Sequence, residues 1–141
     1  MKRVSFVIAL LIVAGLAGYG SSLKAEGKVF SQEQMKKTEA VVPLQGLDPV
    51  VLVQDKEVMG KAEFSVTRGQ FKYWFANAEN RARFEKDPAR YEIQMEGHCP
   101  VVPDATGNPD LYMVYKGRIY IFATDGCVEE FKAGPENFVK P

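Results

Sequence analysis

Three residues of this 141-residue chain have side chains suited to soft-metal or thiol chemistry: Cys99, Cys127 and the single histidine, His98. Two thiolates and an imidazole form a donor set suited to Cu(I) or Zn²⁺, and three ligands leave one coordination position open. In an oxidising compartment the same two cysteines are by default a disulfide. Closing the 28-residue separation between them would stabilise the fold by about 3–4 kcal/mol in the chain-entropy model. A redox-active pair is a third use, although the Cys-x-x-Cys spacing that marks many such pairs is absent. His98 beside Cys99 also places a base next to a thiol. No third group to orient it can be picked out, so no catalytic residue is assigned and the protein is read as non-enzymatic. In Gly97-His98-Cys99-Pro100, His98 equally suits a turn bonded to nearby backbone.

The choice among these chemistries depends on where the chain goes. Met1-Lys2-Arg3 precedes the apolar run VSFVIALLIVAGLAGYG and then small residues up to Ala25. A basic start and an apolar segment short for a membrane span mark residues 1–25 as a signal peptide, with an uncleaved anchor as the alternative. No cysteine near this segment suggests a lipid anchor. The expected location is periplasmic or secreted, with no membrane association after cleavage. Lys2, Arg3 and Lys24 leave with the signal, so 18 basic and 18 acidic residues become a net charge of −3 over the remaining 116 residues. No basic stripe survives, which argues against nucleic acid as a partner. The length suits one compact domain or two small fused units.

The elements that must position the cysteines can be read in chain order. Residues 26–43 form a polar leader, with a short helix expected over Gln32–Lys37. A turn at Leu44–Pro49 leads into the β-branched run Val50–Val53, read as a strand that returns over Glu57–Met59 after a turn at Asp55-Lys56. Glu63–Thr67 alternates polar and apolar residues and pairs with Gln70–Phe75 across Arg68-Gly69. Asn77 caps a helix over Ala78–Lys86, which Asp87-Pro88 stops. After an irregular connection over 93–110 the pattern returns. Leu111–Tyr115 and Arg118–Phe122 flank Lys116-Gly117, and Thr124 or Asp125 caps a helix over Val128–Lys132 that ends at Pro135. Strand alternation puts Phe71, Tyr73 and Phe75 on one face and turns Trp74 to the other, towards the contact between the two halves.

This return is an internal repeat. An offset of 47 superimposes Tyr73 on Tyr120, Phe75 on Phe122, Phe84 on Phe131 and Pro88 on Pro135. An offset of 51 superimposes Gly46, Pro49, Val50 and Val51 on Gly97, Pro100, Val101 and Val102. The difference implies four fewer residues between opening turn and second strand in the later copy, one of them at the hairpin, where Gly69 meets Gly117 at an offset of 48. Under these offsets Cys99 takes the place of Asp48 and Cys127 that of Asn80. One place is on the opening turn and the other in the first turn of the helix, so Cys99 and Cys127 are expected to be neighbours.

The run GLDPVVLV, KEVMGKAEFSV and GQFKYWFANAENRARFEKDPARYEIQMEGHCP, over Gly46–Pro100, resembles the YHS domain, and Tyr115–Phe138 is similar to a divergent copy of it. The resemblance implies a small α+β fold related to TRASH domains and treble-clef zinc fingers, where the opening turn and the helix start each supply cysteine ligands. Here the Cys-x-x-x-Cys of the TRASH helix start reads Ala123-Thr124-Asp125-Gly126-Cys127, and Ala76–Asn80 has no cysteine, so a closed four-ligand zinc site is not available. The expectation is therefore an α+β protein of two tandem, packed ββα units, 44–95 and 96–141, behind the signal and leader. Its expected function is a small envelope binding module of heavy-metal ancestry, with Cys99, Cys127 and His98 as the metal ligands. The competing readings are a structural or protein-interaction domain stapled by a Cys99–Cys127 disulfide, facing some envelope protein, and a thiol-based redox protein.

Overall fold

The computed structural model describes residues 39–139. The signal, most of the leader and its Gln32–Lys37 helix lie outside the described residues. Four α-helices and four strands make a mixed α/β fold: α1 (Pro49–Leu52), β1 (Lys61–Arg68), β2 (Phe71–Phe75), α2 (Ala78–Lys86), α3 (Pro88–Tyr91), β3 (Asn108–Tyr115), β4 (Arg118–Phe122) and α4 (Asp125–Ala133). Among the described residues no helix is long and apolar enough to cross a membrane.

The strands form two separate antiparallel hairpins, β1–β2 and β3–β4. Their registers match at an offset of 47: Val66 faces Tyr73 in one, and Met113 faces Tyr120 in the other. Both hairpins carry an irregularity at the same place, between Lys61 and Ser65 and between Asn108 and Tyr112. The register leaves no one-residue shift at the tips, because Arg68 pairs with Phe71 as Tyr115 pairs with Arg118. The Gly69–Gly117 offset reflects a change of turn. The first tip has positive φ at Gly69, whereas the second has it at both Lys116 and Gly117, as a type I′ turn requires.

The helices start and stop as their caps dictate. Asn77 accepts the Asn80 N–H at 2.8 Å to open α2, and Thr124, rather than Asp125, accepts the Cys127 N–H at 3.3 Å to open α4. The run Val50–Val53 is not a strand. Val50–Leu52 lie in α1 and Val53 caps its end, because Asp48 accepts the Val50 N–H at 2.8 Å and Pro49 occupies the first helical position. A side-chain cap and a preset proline φ outweigh the β preference of three valines over so short a segment.

Strand β4 is the wall between two cores. Ile119 and Ile121 face Leu44, Val50, Phe71, Tyr73, Phe75 and Phe84. Tyr120 and Phe122 face Cys99, Cys127, Phe131 and Val139. Phe84 and Phe131 are the matching helix anchors, their rings 5.1 Å from those of Phe75 and Phe122 respectively. Trp74 does face away from Phe71, Tyr73 and Phe75, but it packs over Gly46 and Gly60 beside its own hairpin. A Cβ on Gly60 would stand 2.5 Å from the Trp74 carbonyl carbon, and one on Gly107 would stand 2.5 Å from Ile121 Cγ1. Each glycine lets an opening segment lie directly on its hairpin.

Because both cores share β4, the described residues should unfold in one transition. Trp74 fluorescence, which reports the first hairpin, and reactivity of Cys99 and Cys127, which lie in the second core, should change at the same urea concentration. Ile121→Ala should destabilise both together by about 2–5 kcal/mol. Two resolved transitions would contradict the shared wall.

Candidate functional site

The opening turns carry the site. Leu44, Gln45 and Gly46 run through three successive positive φ values, 60°, 55° and 80°, and Met95, Glu96 and Gly97 repeat them at 55°, 54° and 86°. Left-handed backbone is costly for residues other than glycine, and matched hydrogen bonds hold it in place. Leu47 N donates to Leu44 O at 3.0 Å and His98 N to Met95 O at 2.9 Å. The turn is then tied to the chain ahead of the hairpin. Asp48 N donates to Val58 O at 2.8 Å, as Cys99 N donates to Ala105 O at 2.9 Å. The offset has therefore fallen from 51 to 47 before the hairpin begins, so all four missing residues lie in the segment that α1 and its following turn occupy in the earlier half.

The turn delivers Cys99 with its sulfur facing inward, fully buried at 0% exposure. The cap at Thr124 delivers Cys127 from the first turn of α4, at 8% exposure. The two cysteines meet as the repeat predicts. Both sit in the second core, where the backbone N–H groups of Ala123, Val102 and Val101 and the Cys127 side chain favour the Cys99 anion. Thr124 Oγ1 lies 3.3 Å from Cys127 Sγ and donates to it. Burial pushes the Cys99 thiol up, but these donors favour the anion and together hold it below its ordinary value. Both cysteines are free thiols here.

The expected third ligand is not brought to the pair. His98 is exposed, its backbone bridges to Thr106, and it stands at the place of Leu47 in the earlier half. Among the described residues no three of His, Cys, Asp and Glu gather closely enough to hold a metal ion. Consecutive residues on an extended stretch point to opposite sides, so the turn that buries Cys99 turns His98 outward. Two thiols do not fit tetrahedral Zn²⁺, which takes four ligands in a closed site. They do fit a soft cation satisfied by two thiolates, with Cu(I) the first-row example.

Sequence reasoning treats Asp48 as a shaper of its turn; its larger role emerges only in three dimensions. At 0% exposure, its carboxylate accepts from Val50 N at 2.8 Å, Ala76 N at 2.8 Å and Asn80 Nδ2 at 2.7 Å. These are the counterparts of Val101, Ala123 and Cys127. A cleft of about 890 Å³ was likewise not foreseen. Its lining includes Arg68, Tyr73, Glu92, Gln94 and Arg118. Arg68 pairs with Glu92 at 3.3 Å, Arg118 bonds Gln94 Oε1 at 3.2 Å, and the Tyr73 hydroxyl accepts Ile93 N–H at 2.9 Å.

With this geometry in place, comparison with protein families gives one result. Residues 100–141 match the YHS domain. The YHS match begins one residue after Cys99 and takes in β3, β4, α4 and Cys127. It covers less than a third of the chain and falls on the half read from the sequence as the divergent copy. No curated protein and no solved structure matches the chain.

Two measurements follow. Because Cys99 holds its proton less tightly folded than unfolded, the reduced protein should gain stability as pH rises from the folded value towards the ordinary thiol value of about 8.5. That gain should vanish as pH falls through the folded value. Urea unfolding across this range, compared with Cys99→Ala, should show a rising difference, and a flat one would contradict the donor arrangement. Asn80→Ala removes one donor from the buried Asp48 carboxylate and should cost about 1–3 kcal/mol in the same assay.

Proposed function

We propose that this chain is an exported, non-enzymatic binding module of two tandem YHS-like units, 44–95 and 96–141, whose second unit holds a soft cation between Cys99 and Cys127. The observation that carries the reading is that Cys99 and Cys127, brought by the opening turn and the helix start, are buried together in one core, where nearby backbone N–H groups favour the Cys99 anion. Such a pocket favours negative charge on sulfur before a metal arrives, and a thiolate, not a thiol, is the ligand. The YHS match over 100–141 adds support, since the resemblance implies metal-handling ancestry. Tandem units are supported by paired hydrogen bonds in the two halves: Gly60 N to Gly46 O and Gly107 N to Gly97 O, both at 2.8 Å.

Cu(I) is the cation this donor set suits, and Zn²⁺ is disfavoured for want of further ligands. On binding, Cys99 and Cys127 each give up a proton and become the two ligands, the backbone donors continue to offset charge on Cys99, and His98 takes no part. The partner class is an envelope protein that delivers or accepts the ion, with no nucleic acid, and the location is the periplasm or the exterior. A purely structural domain, stapled by the same two cysteines, is the second reading, because the same juxtaposition serves it.

Competition of the reduced, full-length mature protein against a chromophoric Cu(I) chelator tests the proposal. One Cu(I) per chain should bind, with affinity lost in both Cys99→Ser and Cys127→Ser and retained in His98→Ala. Zn²⁺ should bind weakly or not at all. Wild-type protein with two free thiols that leaves the chelator fully loaded would overturn the metal reading and leave the structural one.

A further inference from the structure

The hydrogen bonds around Asp48 and Cys99 describe one clasp made in two chemistries. In the first half, a buried side chain on the opening turn accepts from the N–H two residues on (Val50), from the N–H just beyond the second strand (Ala76), and from a side chain in the first turn of the helix (Asn80). In the second half Cys99 and Cys127 hold the two side-chain positions within one buried cluster, and the backbone at Ala123 and Val101, with Val102 beside them, favours the Cys99 anion. The helix cap matches too, with Asn80 N donating to Asn77 and Cys127 N to Thr124. Each clasp ties its opening turn to the start of its helix across the end of its hairpin.

We infer that Cys99 and Cys127 are a reversible redox site that locks the second clasp covalently when oxidised and frees it when reduced, whereas Asp48–Asn80 holds the first in the same way in every redox state. The inference rests on the dithiol of the proposed function but requires no metal, and in the oxidised form the same two sulfurs are withdrawn from any cation. Carboxylate and carboxamide cannot exchange electrons with a thiol–disulfide pool, so the first clasp is indifferent to it. Two thiols buried in one cluster can.

The order of attack follows from burial. The co-reactant is a small-molecule disulfide, as found in an oxidising compartment. Cys127, the less buried thiol, attacks it first. One S–S bond breaks, a mixed disulfide forms on Cys127, and the first small thiol departs with one proton. Cys99, enclosed at 0% exposure in the same cluster as Cys127, then displaces the second small thiol. The product is the Cys99–Cys127 disulfide; two electrons and both thiol protons end on the two released thiols. Excess small thiol runs the sequence backwards. Neither protein sulfur needs to reach solvent for the second step, so the closed clasp forms without unfolding.

The test uses the full-length mature chain in buffers of graded reduced-to-oxidised glutathione ratio, read by intact mass after acid quench, with Trp74 fluorescence confirming the native state. Wild type should lose two hydrogens reversibly at a defined ratio and melt at a higher temperature once oxidised. Cys99→Ser should accumulate a single glutathione adduct on Cys127. Cys127→Ser, while folded, should leave Cys99 unmodified over the same period. Asn80→Ala should lower the melting temperature equally in reduced and oxidised protein. A wild type that keeps both thiols at every ratio, stable adducts on wild-type Cys127 with no closure, or faster modification of Cys99 than of Cys127 would each overturn the inference. The Cu(I) competition is run on reduced protein, so the metal reading fails or stands separately.

Discussion

The centre of the first half depends on two backbone N–H groups that converge on the buried Asp48 carboxylate, and the second half repeats their places around Cys99. One belongs to the residue two places after the opening turn, Val50 or Val101; the other follows the second strand, Ala76 or Ala123. Neither can be turned away without undoing the left-handed turn or the hairpin end that sets it. A buried donor left unpaired costs about as much as a lost hydrogen bond or more, so the side chain at position 48 or 99 must accept. Aspartate does so with two oxygens, and cysteine with one polarisable sulfur. The helix residue at 80 or 127 completes the set, and it has to offer a hydrogen to match. Asn80 does this with its amide, and Cys127 with its thiol.

The clasp and the two-sided strand β4 reinforce each other. Alternation along Ile119, Tyr120, Ile121 and Phe122 sends consecutive side chains into different cores, so β4 reads as a continuous apolar run, as a strand buried on both faces should. Phe122 lies in the same cluster as both cysteines, and Ala123 immediately after it supplies a donor to Cys99. Any change at the two sulfurs, whether a bound cation or a covalent bond, is thus made against the end of the strand on which the other core also rests. The chemistry is local, but its effect on stability need not be.

What was legible in the residues was whatever is decided locally. The Asn77 cap and the Asp87-Pro88 stop bound α2 at the expected residues, and Lys116-Gly117 marks the second tip, because caps and turns act within a few positions. The Val50–Val53 strand failed for the same reason. Its β-branched composition was weighed without Asp48-Pro49, whose cap and fixed φ start a helix there. Trp74 takes the face that alternation assigns it, but periodicity names a face without saying what covers it, and Gly46 and Gly60 do. His98 was drawn into the site by adjacency, which in an extended stretch separates side chains. The repeat found Cys99 and Cys127 as neighbours across 28 residues, yet it could not reveal that Asp48 and Asn80 are bonded to each other as well.

Two of the donors in this arrangement are main-chain groups, so the frame is indifferent to which acceptor it holds. This separates fold from chemistry within a single chain. Phe84 and Phe131, the paired glycines and the left-handed turns recur in both halves, while the residues at the two clasp positions differ in the chemistry they offer. The first half keeps the hairpin, helix and aromatic anchor and uses carboxylate and amide for a bond that requires no cofactor. The second half keeps the same parts and places sulfur at both positions. The two halves therefore differ in the side chains at positions 48 and 80, and at 99 and 127, more than in the architecture they share.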